Sequence, residues 1–464
     1  MTKTNSAAQC LRVGAAQVDI TPAMGIQIAG DIGRYRPVEE IRDPIFAKAM
    51  IVEARGKKAC FLCLDVLAIS WGWAEEIRTR ASAQFGLAPE AILVHVLQNH
   101  AAPSVGHCFT WEDDCRWFPR EYPWLLGGDE RYNPIAVQGA LKAIGQAMGA
   151  LQPARLNVGR GVDGRVAFNR RFVMRDGSTQ THPRTCDPQI LHCEGPTDPE
   201  VGVMLFVAES GKPLAACLHH TCHPAHGYPE RWVSAGWPGA WSEGVRRLCG
   251  ADCVCLVING FCGNINHGNH LDPAQNDNHI EMGRKLTEST QRIMGLLRPM
   301  ESPVLDWRAR SLRIPMRKPT DGEMEEARRM IREHPEPIWK DESRTAVEWD
   351  WVYAAMRLDL QEHYDRDPMF AYFMQVFRLG DVAIVAVPGE PFVEEQLRIK
   401  RESPAGFTFT AHMSNGYVGY IPTREAFQGG GYETRTSNGS KLAPEALEMI
   451  GDASLEMIRE LFAG

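Results

Sequence analysis

Six of the fifteen histidines in this 464-residue chain fall between His219 and His270. They lie in two segments, CLHHTCHPAHG (217–227) and NGFCGNINHGNH (259–270), each preceded by an apolar run. Imidazole titrates near neutral pH and is the commonest transition-metal ligand, so this density points to proton transfer or metal chemistry. The apolar runs, LAAC before His219 and VCLVI before Asn259, place the polar residues where buried strands end. Ligand sites in α/β proteins collect at such ends.

Two further segments have the same form. In AILVHVLQNHAAPS (91–104), period-two alternation puts Gln98 and His100 on one face as a strand finishes. In VAIVAVPGEPF (382–392), Glu390 follows an apolar strand between two prolines. Spacing alone leaves it either an anion at a helix N-terminus or a ligand and general base. Pro224 fixes the backbone just after His223, which helps hold that imidazole in one orientation. The turn Asn259–His267 suits backbone amides that approach a substrate oxygen, but taken alone it reads as ordinary strand-to-helix punctuation. No HExxH motif or paired CxxC is present, so any metal site must be assembled from distant segments.

Hydrophobic periodicity predicts the elements that carry these segments. Strands are expected near 11–20, 46–54, 59–68, 90–98, 202–208, 214–221 and 253–259, with helices at about 73–85, 134–150, 238–249 and 279–297. After Pro299 come a strand at 304–314, charged helices at 322–333 and 342–364, strands at 371–378, 382–387 and 406–412, and a helix from Pro444 to Phe462. The order is α/β, read as one domain over 1–464 with a charged helical insert at about 317–366. No chemistry is assigned to that insert. The aromatic-rich loop 107–133 reads as a lid or pocket wall, or as an excursion packed on its own tryptophans. Gln428–Glu433, with three glycines, reads as a flap or a plain flexible loop.

Composition narrows the class. With 44% hydrophobic and 23% charged residues the chain can bury a large core. A net charge of −8 without a long basic run argues against nucleic acid as a partner. The opening MTKTNSAAQCLRVG lacks an apolar h-region, and no stretch approaches the roughly 18 apolar residues of a membrane span. The expectation is a cytoplasmic protein without a membrane anchor, acting on a small-molecule substrate, with a homo-oligomer left open. Thirteen cysteines, several paired within core strands, suit reduced buried thiols.

Taken together, these segments resemble the catalytic domain of the neutral/alkaline non-lysosomal ceramidase family. The similarity begins at Val13–Pro22 (VGAAQVDITP) and runs through FAKAMIVEA, CFLCLDVLAIS, NHAAPS, Asn169-Arg170-Arg171, Asp198-Pro199-Glu200 and HHTCHP. VSAGWPGAWSE, GFCGNIN, VPGEPF, SNGYVGYIPTREAF and Tyr432-Glu433 follow in family order. The resemblance implies a mixed-sheet α/β domain with helices packed on the sheets. It also implies a Zn2+ ion that activates water to cleave an amide.

Carried over position by position, the implied metal ligands are His100, His223, Glu390 and Tyr417. Gln98 stands where the family has the other histidine of its first motif. Arg170 matches the arginine of the family's Asn-Arg pair and could bind an anionic oxygen, as could Tyr432. His220 or His226 is a candidate proton carrier. Asn266 stands where the family has a serine proposed to act in catalysis; it cannot serve as that nucleophile but can donate a hydrogen bond. This substitution, the absence of the family's C-terminal immunoglobulin-like domain and the lack of an export signal favour a small polar substrate over ceramide. The expected reaction is metal-dependent amide hydrolysis. The alternatives are an ester, lactone or carbohydrate linkage, or a non-catalytic binding role, for which Asn264, Asn266, His267 and Arg170 would suit a hydroxylated ligand.

Overall fold

The computed structural model describes residues 11–111, 115–275, 277–300 and 304–463. The first ten residues of the opening segment and positions 112–114 of the aromatic loop lie outside the described residues. The larger sheet contains β1 (Arg12–Asp19), β2 (Phe46–Ala54), β3 (Lys57–Leu64), β4 (Ile92–Val96), β5 (Gln152–Val162), β6 (Glu200–Ala208), β7 (Pro213–His220) and β8 (Val254–Asn259). Their spatial order is β8-β7-β6-β5-β1-β2-β3-β4, with the short segment Arg298–Pro299 paired to β5 as a ninth strand. A second sheet holds β9 (Leu305–Pro315), β10 (Met369–Leu379), β11 (Val382–Ala386) and β12 (Phe407–Ala411) in sequential order.

The two sheets face each other through one apolar cluster that includes Phe61, Leu93, Val203 and Leu256 from the larger and Phe377, Ile384 and Phe409 from the smaller. Behind the larger sheet, α1 (Trp71–Phe85) and α2 (Asn133–Gly149) pack on Ala49, Ile51 and Leu62. Strands covered on both faces cannot alternate apolar with polar, which is why β2 and β3 read as nearly continuous apolar runs.

Most neighbouring strands of the two sheets run antiparallel, but three pairs within them are parallel and therefore need crossover connections. β3 and β4 are joined through α1. β7 and β8 are joined through α3 (Gly236–Cys249). The sheet-two pair β11 and β12 is the third. The C-terminal ends of β4, β7, β8, β11 and β12 lead into residues 97–100, 221–226, 260–267, 387–390 and 412–417, the polar segments singled out in the sequence.

Helices α4 (His279–Met294), α5 (Asp321–Glu333) and α6 (Trp349–Arg366) follow the expected positions. α6 starts later than its periodicity suggested because the chain before it folds back through a bridge between Trp339 and Val347. α5 opens with a capping box in which Thr320 and Glu323 each satisfy the other's backbone amide. α7 (Val393–Glu402), within the third crossover, was not anticipated, nor was the short α8 (Arg424–Gly429); the chain closes with α9 (Ala446–Phe462) on the second sheet.

The central strand β5 was also unforeseen, because its sequence, QPARLNVGRGV, contains proline, two glycines and two arginines. The glycines serve packing rather than a turn. A Cβ on Gly159 would lie 2.9 Å from Leu297, and one on Gly161 would lie 2.9 Å from Ile293. Their absence of side chain lets the end of α4 press on the sheet. Among the described residues every cysteine is free. No helix there is long and apolar enough to cross a membrane.

The same close approach explains Gly14 of the VGAAQVDITP segment. A Cβ there would meet the Ala147 carbonyl oxygen at 2.1 Å and the Leu151 nitrogen at 2.8 Å, both backbone atoms at the end of α2. Gly14→Ala is expected to lower stability by about 2 kcal/mol through overpacking, read as a drop in unfolding midpoint. Gly149→Ala, where a Cβ meets nothing within 4 Å, is expected to leave the midpoint unchanged or raise stability by up to about 1 kcal/mol.

Candidate functional site

The strand ends enclose a cavity of about 720 Å3. His100, His223, Glu390 and Tyr417 line it, as do Arg170, Asn266 and Tyr432. Two short pairings set this up. Glu390–Pro391 runs parallel to Tyr420–Ile421, which fixes the carboxylate beside the tyrosine segment. Ile265–Asn266 pairs with Phe168–Asn169, which brings Asn266 next to Arg170.

His223 is buried, and its Nδ1 lies 3.0 Å from the Cys262 carbonyl oxygen. A carbonyl can only accept, so Nδ1 carries the proton and Nε2 presents a lone pair. That Nε2 is 3.5 Å from Glu390 Oε2. The other carboxylate oxygen, Oε1, accepts a 3.0 Å hydrogen bond from the Tyr417 hydroxyl. The His100 ring lies 5.4 Å from that of His223, and its Nδ1 is pressed against Gly30, where a Cβ would stand 2.5 Å away. His100 Nε2, His223 Nε2 and Glu390 Oε2 are all buried without a well-formed hydrogen bond. Orphaned buried polar atoms are rare and call for a physical explanation.

Burial dominates the electrostatics of this group. It pushes the Glu390 carboxyl up to about 7, against the pull of Arg170 and of the neighbouring Gln98, Tyr417 and Tyr420 side chains. It drives His100 down to about 3, helped by the nearby Arg36 and Arg170 charges, and His223 well below its ordinary value. The imidazoles are thus neutral and lone-pair-bearing at neutral pH, the state a metal requires. Two imidazoles, a carboxylate and a phenol suit zinc in chemical type. Among the described residues, however, no three His, Cys, Asp or Glu side chains are already gathered as a metal site.

Gln98 also lines the cavity, but not by simple alternation from the strand. β4 ends at Val96, and Gln98 adopts a left-handed backbone with φ 64°. Non-glycine residues hold that conformation only where their surroundings enforce it. Its Oε1 lies 3.6 Å from the Cys262 sulfur, beneath the His223 loop.

Arg170 and Arg171 share one carboxylate. Arg170 Nε donates to Glu433 Oε1 at 3.1 Å and Arg171 Nη1 to Glu433 Oε2 at 2.8 Å, with all three side chains buried. Arg170 Nη2 donates to the Gly263 carbonyl at 2.6 Å, and its guanidinium faces the rings of Tyr420 and Tyr432 at 5.4 and 5.3 Å. The glycine loop that carries Tyr432 and Glu433 is therefore anchored by buried ion pairs. Its glycines allow the backbone turn, with Gly430 and Gly431 at φ 86° and 94°.

Several sequence expectations are corrected here. His220 does not reach the cavity: its Nδ1 lies 3.0 Å from the Glu200 carbonyl, and its ring packs edge-on against Trp237 and Trp241. As the last residue of β7 it points to the helical face of the sheet. His226 stacks on His267 at 3.6 Å, with His267 rather than His226 lining the cavity. Asn264 is committed to the start of α7, accepting from the Val393 amide and donating to Glu394. The turn amides of Gly260, Phe261, Gly263 and Ile265 are all bonded within the protein, so they do not form an oxyanion site.

The cavity also takes residues from the aromatic loop read as a pocket wall, from the histidine cluster and from elements given no functional reading. Trp349, Tyr353 and Met356 of the charged helical segment form an apolar wall, together with Phe109 from the aromatic loop. Two further residues of that loop dock on the same segment, Phe118 on Trp351 and Tyr122 on Trp339. Opposite stand His182 and His270, joined at 3.1 Å through Nδ1 and Nε2. The spaced tyrosines of GYVGY were the one local signal for Tyr420. His182 and the α6 wall had none, since a lone histidine or a helical aromatic usually packs.

Comparison with known proteins fits this architecture. No family model matches the chain. Its fold is that of the neutral ceramidases: the crystal structure of neutral ceramidase from Pseudomonas aeruginosa superimposes with a TM-score of 0.72 at 19% identity, over 98% of this chain and 74% of that one. A ceramidase complexed with C2 gives a TM-score of 0.73 at 18% identity, over 98% and 75%. In sequence the chain is 24% identical over 358 residues to neutral ceramidase of Pseudomonas aeruginosa, covering 67% of this chain and 52% of that protein. The chain thus spans about half the length of the curated relative it matches. It is a distant relative of neutral ceramidase, as the order of its segments implied.

Two predictions follow from the buried charges. Glu433→Gln leaves two arginines without their shared counter-ion and is expected to cost about 3 kcal/mol, measured as a lower unfolding midpoint. One contribution to acid sensitivity comes from His95, whose Nδ1 lies 2.8 Å from the His412 carbonyl while Nε2 accepts from the Asn259 amide. Burial holds it at about 4 in the folded state, below the ordinary value of about 6.5 for an unfolded chain. The unfolded state binds more protons in that window, so stability should fall as pH drops from 6.5 toward 4. His95→Gln is expected to flatten that slope in a series of thermal midpoints against pH.

Proposed function

We propose that this protein is a metal-dependent hydrolase, with zinc the expected ion, that cleaves an amide-type bond in a compact substrate. The observation that carries this reading is that His100, His223, Glu390 and Tyr417 line one cavity, with His100 Nε2, His223 Nε2 and Glu390 Oε2 each buried and without a well-formed hydrogen bond. The relationship to neutral ceramidase supports hydrolysis as the reaction class. His100, His223, Glu390 and Tyr417 would hold the ion. When bound, it would supply Lewis acidity and acidify a water molecule towards neutral pH.

The remaining side chains have roles that follow from their placement. Arg170, fixed by Glu433 and the Gly263 carbonyl, holds positive charge at the cavity wall, where an anionic oxygen of the substrate can be stabilised. Asn266 keeps its Oδ1 occupied by the His267 amide at 2.6 Å, and its Nδ2, 3.5 Å from His182 Nε2, has a second N–H that can donate to substrate. The aromatic wall of Phe109, Trp349 and Tyr353 excludes water and takes the apolar side of the substrate, while His182, His267 and His270 meet polar groups. A cavity of about 720 Å3 lies within the size range of small-molecule sites.

The test is elemental analysis of the purified chain beside His223→Ala and Glu390→Ala, followed by a screen of short N-acyl amines. One equivalent of metal in the wild type, lost in both variants together with hydrolysis, is the expected result. Asn266→Ala should keep the metal and lower kcat about 100-fold. A well-folded wild type that stays metal-free when zinc is supplied would overturn the hydrolase reading and leave a ligand-binding role.

A further inference from the structure

A second cavity, of about 550 Å3, lies beyond Cys108 and Tyr417, which line both spaces. Trp71, Trp111, Phe370 and Met369 give it apolar walls. Into it projects Lys441, only 6% exposed, whose ammonium stands 4.9 Å from the Trp111 ring and 5.7 Å from the Phe370 ring. Among the described residues this ammonium has no ion-pair or hydrogen-bond partner. Asp359 is the carboxylate that acts on it, and that group is engaged by the Asn438 amide at 2.6 Å. Burial pushes Lys441 down to about 8, so it still carries charge at neutral pH.

The lining repeats the same polarity. Ser70 Oγ, Trp71 Nε1, His107 Nδ1 and Trp111 Nε1 are all buried without a hydrogen-bond partner, and all four residues border this cavity. Indole N–H groups can only donate, and the hydroxyl and imidazole are able to. Arg313 and Arg366 add positive charge to the lining; its acid, Asp367, accepts from Arg313 Nη2 at 2.9 Å through both oxygens. A buried cation and several idle donors cost free energy unless something accepts from them. Aromatic walls and a volume far beyond that of an inorganic ion call for a ligand with an apolar body.

We propose that this cavity is a second ligand site that binds an organic monocarboxylate, its carboxylate paired with Lys441 and its apolar part held by Trp71, Trp111 and Phe370. The site is separate from the proposed hydrolytic centre and does not depend on that reading. Ligand there would press on the far side of Tyr417, giving one route by which occupancy of one cavity is felt in the other.

Octanoate is the probe, titrated calorimetrically into the full chain with octanol as the uncharged control. Saturable binding of octanoate at one site is expected, weakened at least about tenfold by Lys441→Met, as the loss of a charge-assisted hydrogen bond implies, and retained by Lys441→Arg. Octanoate that binds Lys441→Met as tightly as wild type, or binds no better than octanol, would overturn the proposal. If Lys441→Met does not fold, Trp111→Phe keeps the ring and removes the N–H; weaker octanoate with unaltered octanol supports the site, and unaltered octanoate overturns it.

Discussion

The candidate site depends on one buried side-chain amide. Asn259, the last residue of β8, donates through Nδ2 to the carbonyls of Leu97 and Cys222 at 3.2 and 3.0 Å, and its Oδ1 accepts from the Cys222 amide at 3.2 Å. Its own amide donates to His95 Nε2 and its carbonyl accepts from the His412 amide. The turns that carry Gln98 and His100, His223, and residues 412–417 are therefore tied to one point. Aspartate could not donate to the two carbonyls, and leucine would leave several buried groups unpaired, which is why the polar residue belongs there.

Around this point, arginines span the gaps that backbone pairing cannot close. Arg36, fully buried, donates to the carbonyls of Ala29, His100, Gly227 and Glu230 and so joins the 27–36 loop to the turns after His100 and His223. Arg170 and Arg171 do the same for the Glu433 loop. Burying ions is expensive, and such networks add geometric specificity more than stability. Gly263 shows the same demand for closeness: a Cβ there would stand 2.3 Å from the Glu390 carbonyl oxygen, so glycine lets the carboxylate segment sit directly on the histidine turn.

A framework of this kind can keep polar lone pairs dry and unpaired at neutral pH. His100, His223 and Glu390 are disfavoured as ions by burial, and the neighbouring arginine charge keeps the imidazoles neutral. The second cavity inverts that logic, with an unpaired cation and donors in place of lone pairs. Tyr417 and Cys108 stand between the two.

Local periodicity was enough to read every long strand of the two sheets except β5, most helices and the rule that polar clusters follow apolar strands, because burial on both faces and strand ends leave a sequence imprint. The order of short motifs added the likeness to neutral ceramidase. What only the tertiary structure decided concerns direction and distance. His220 and His223 lie three residues apart, yet one faces tryptophans and the other the cavity, since β7 ends between them. β5 was hidden because its glycines answer to α4, more than a hundred residues away. The aromatic wall of α6 was assigned no chemistry, and nothing in the sequence marked Lys441. Each depends on what the distant chain places opposite it, and a linear sequence does not state that.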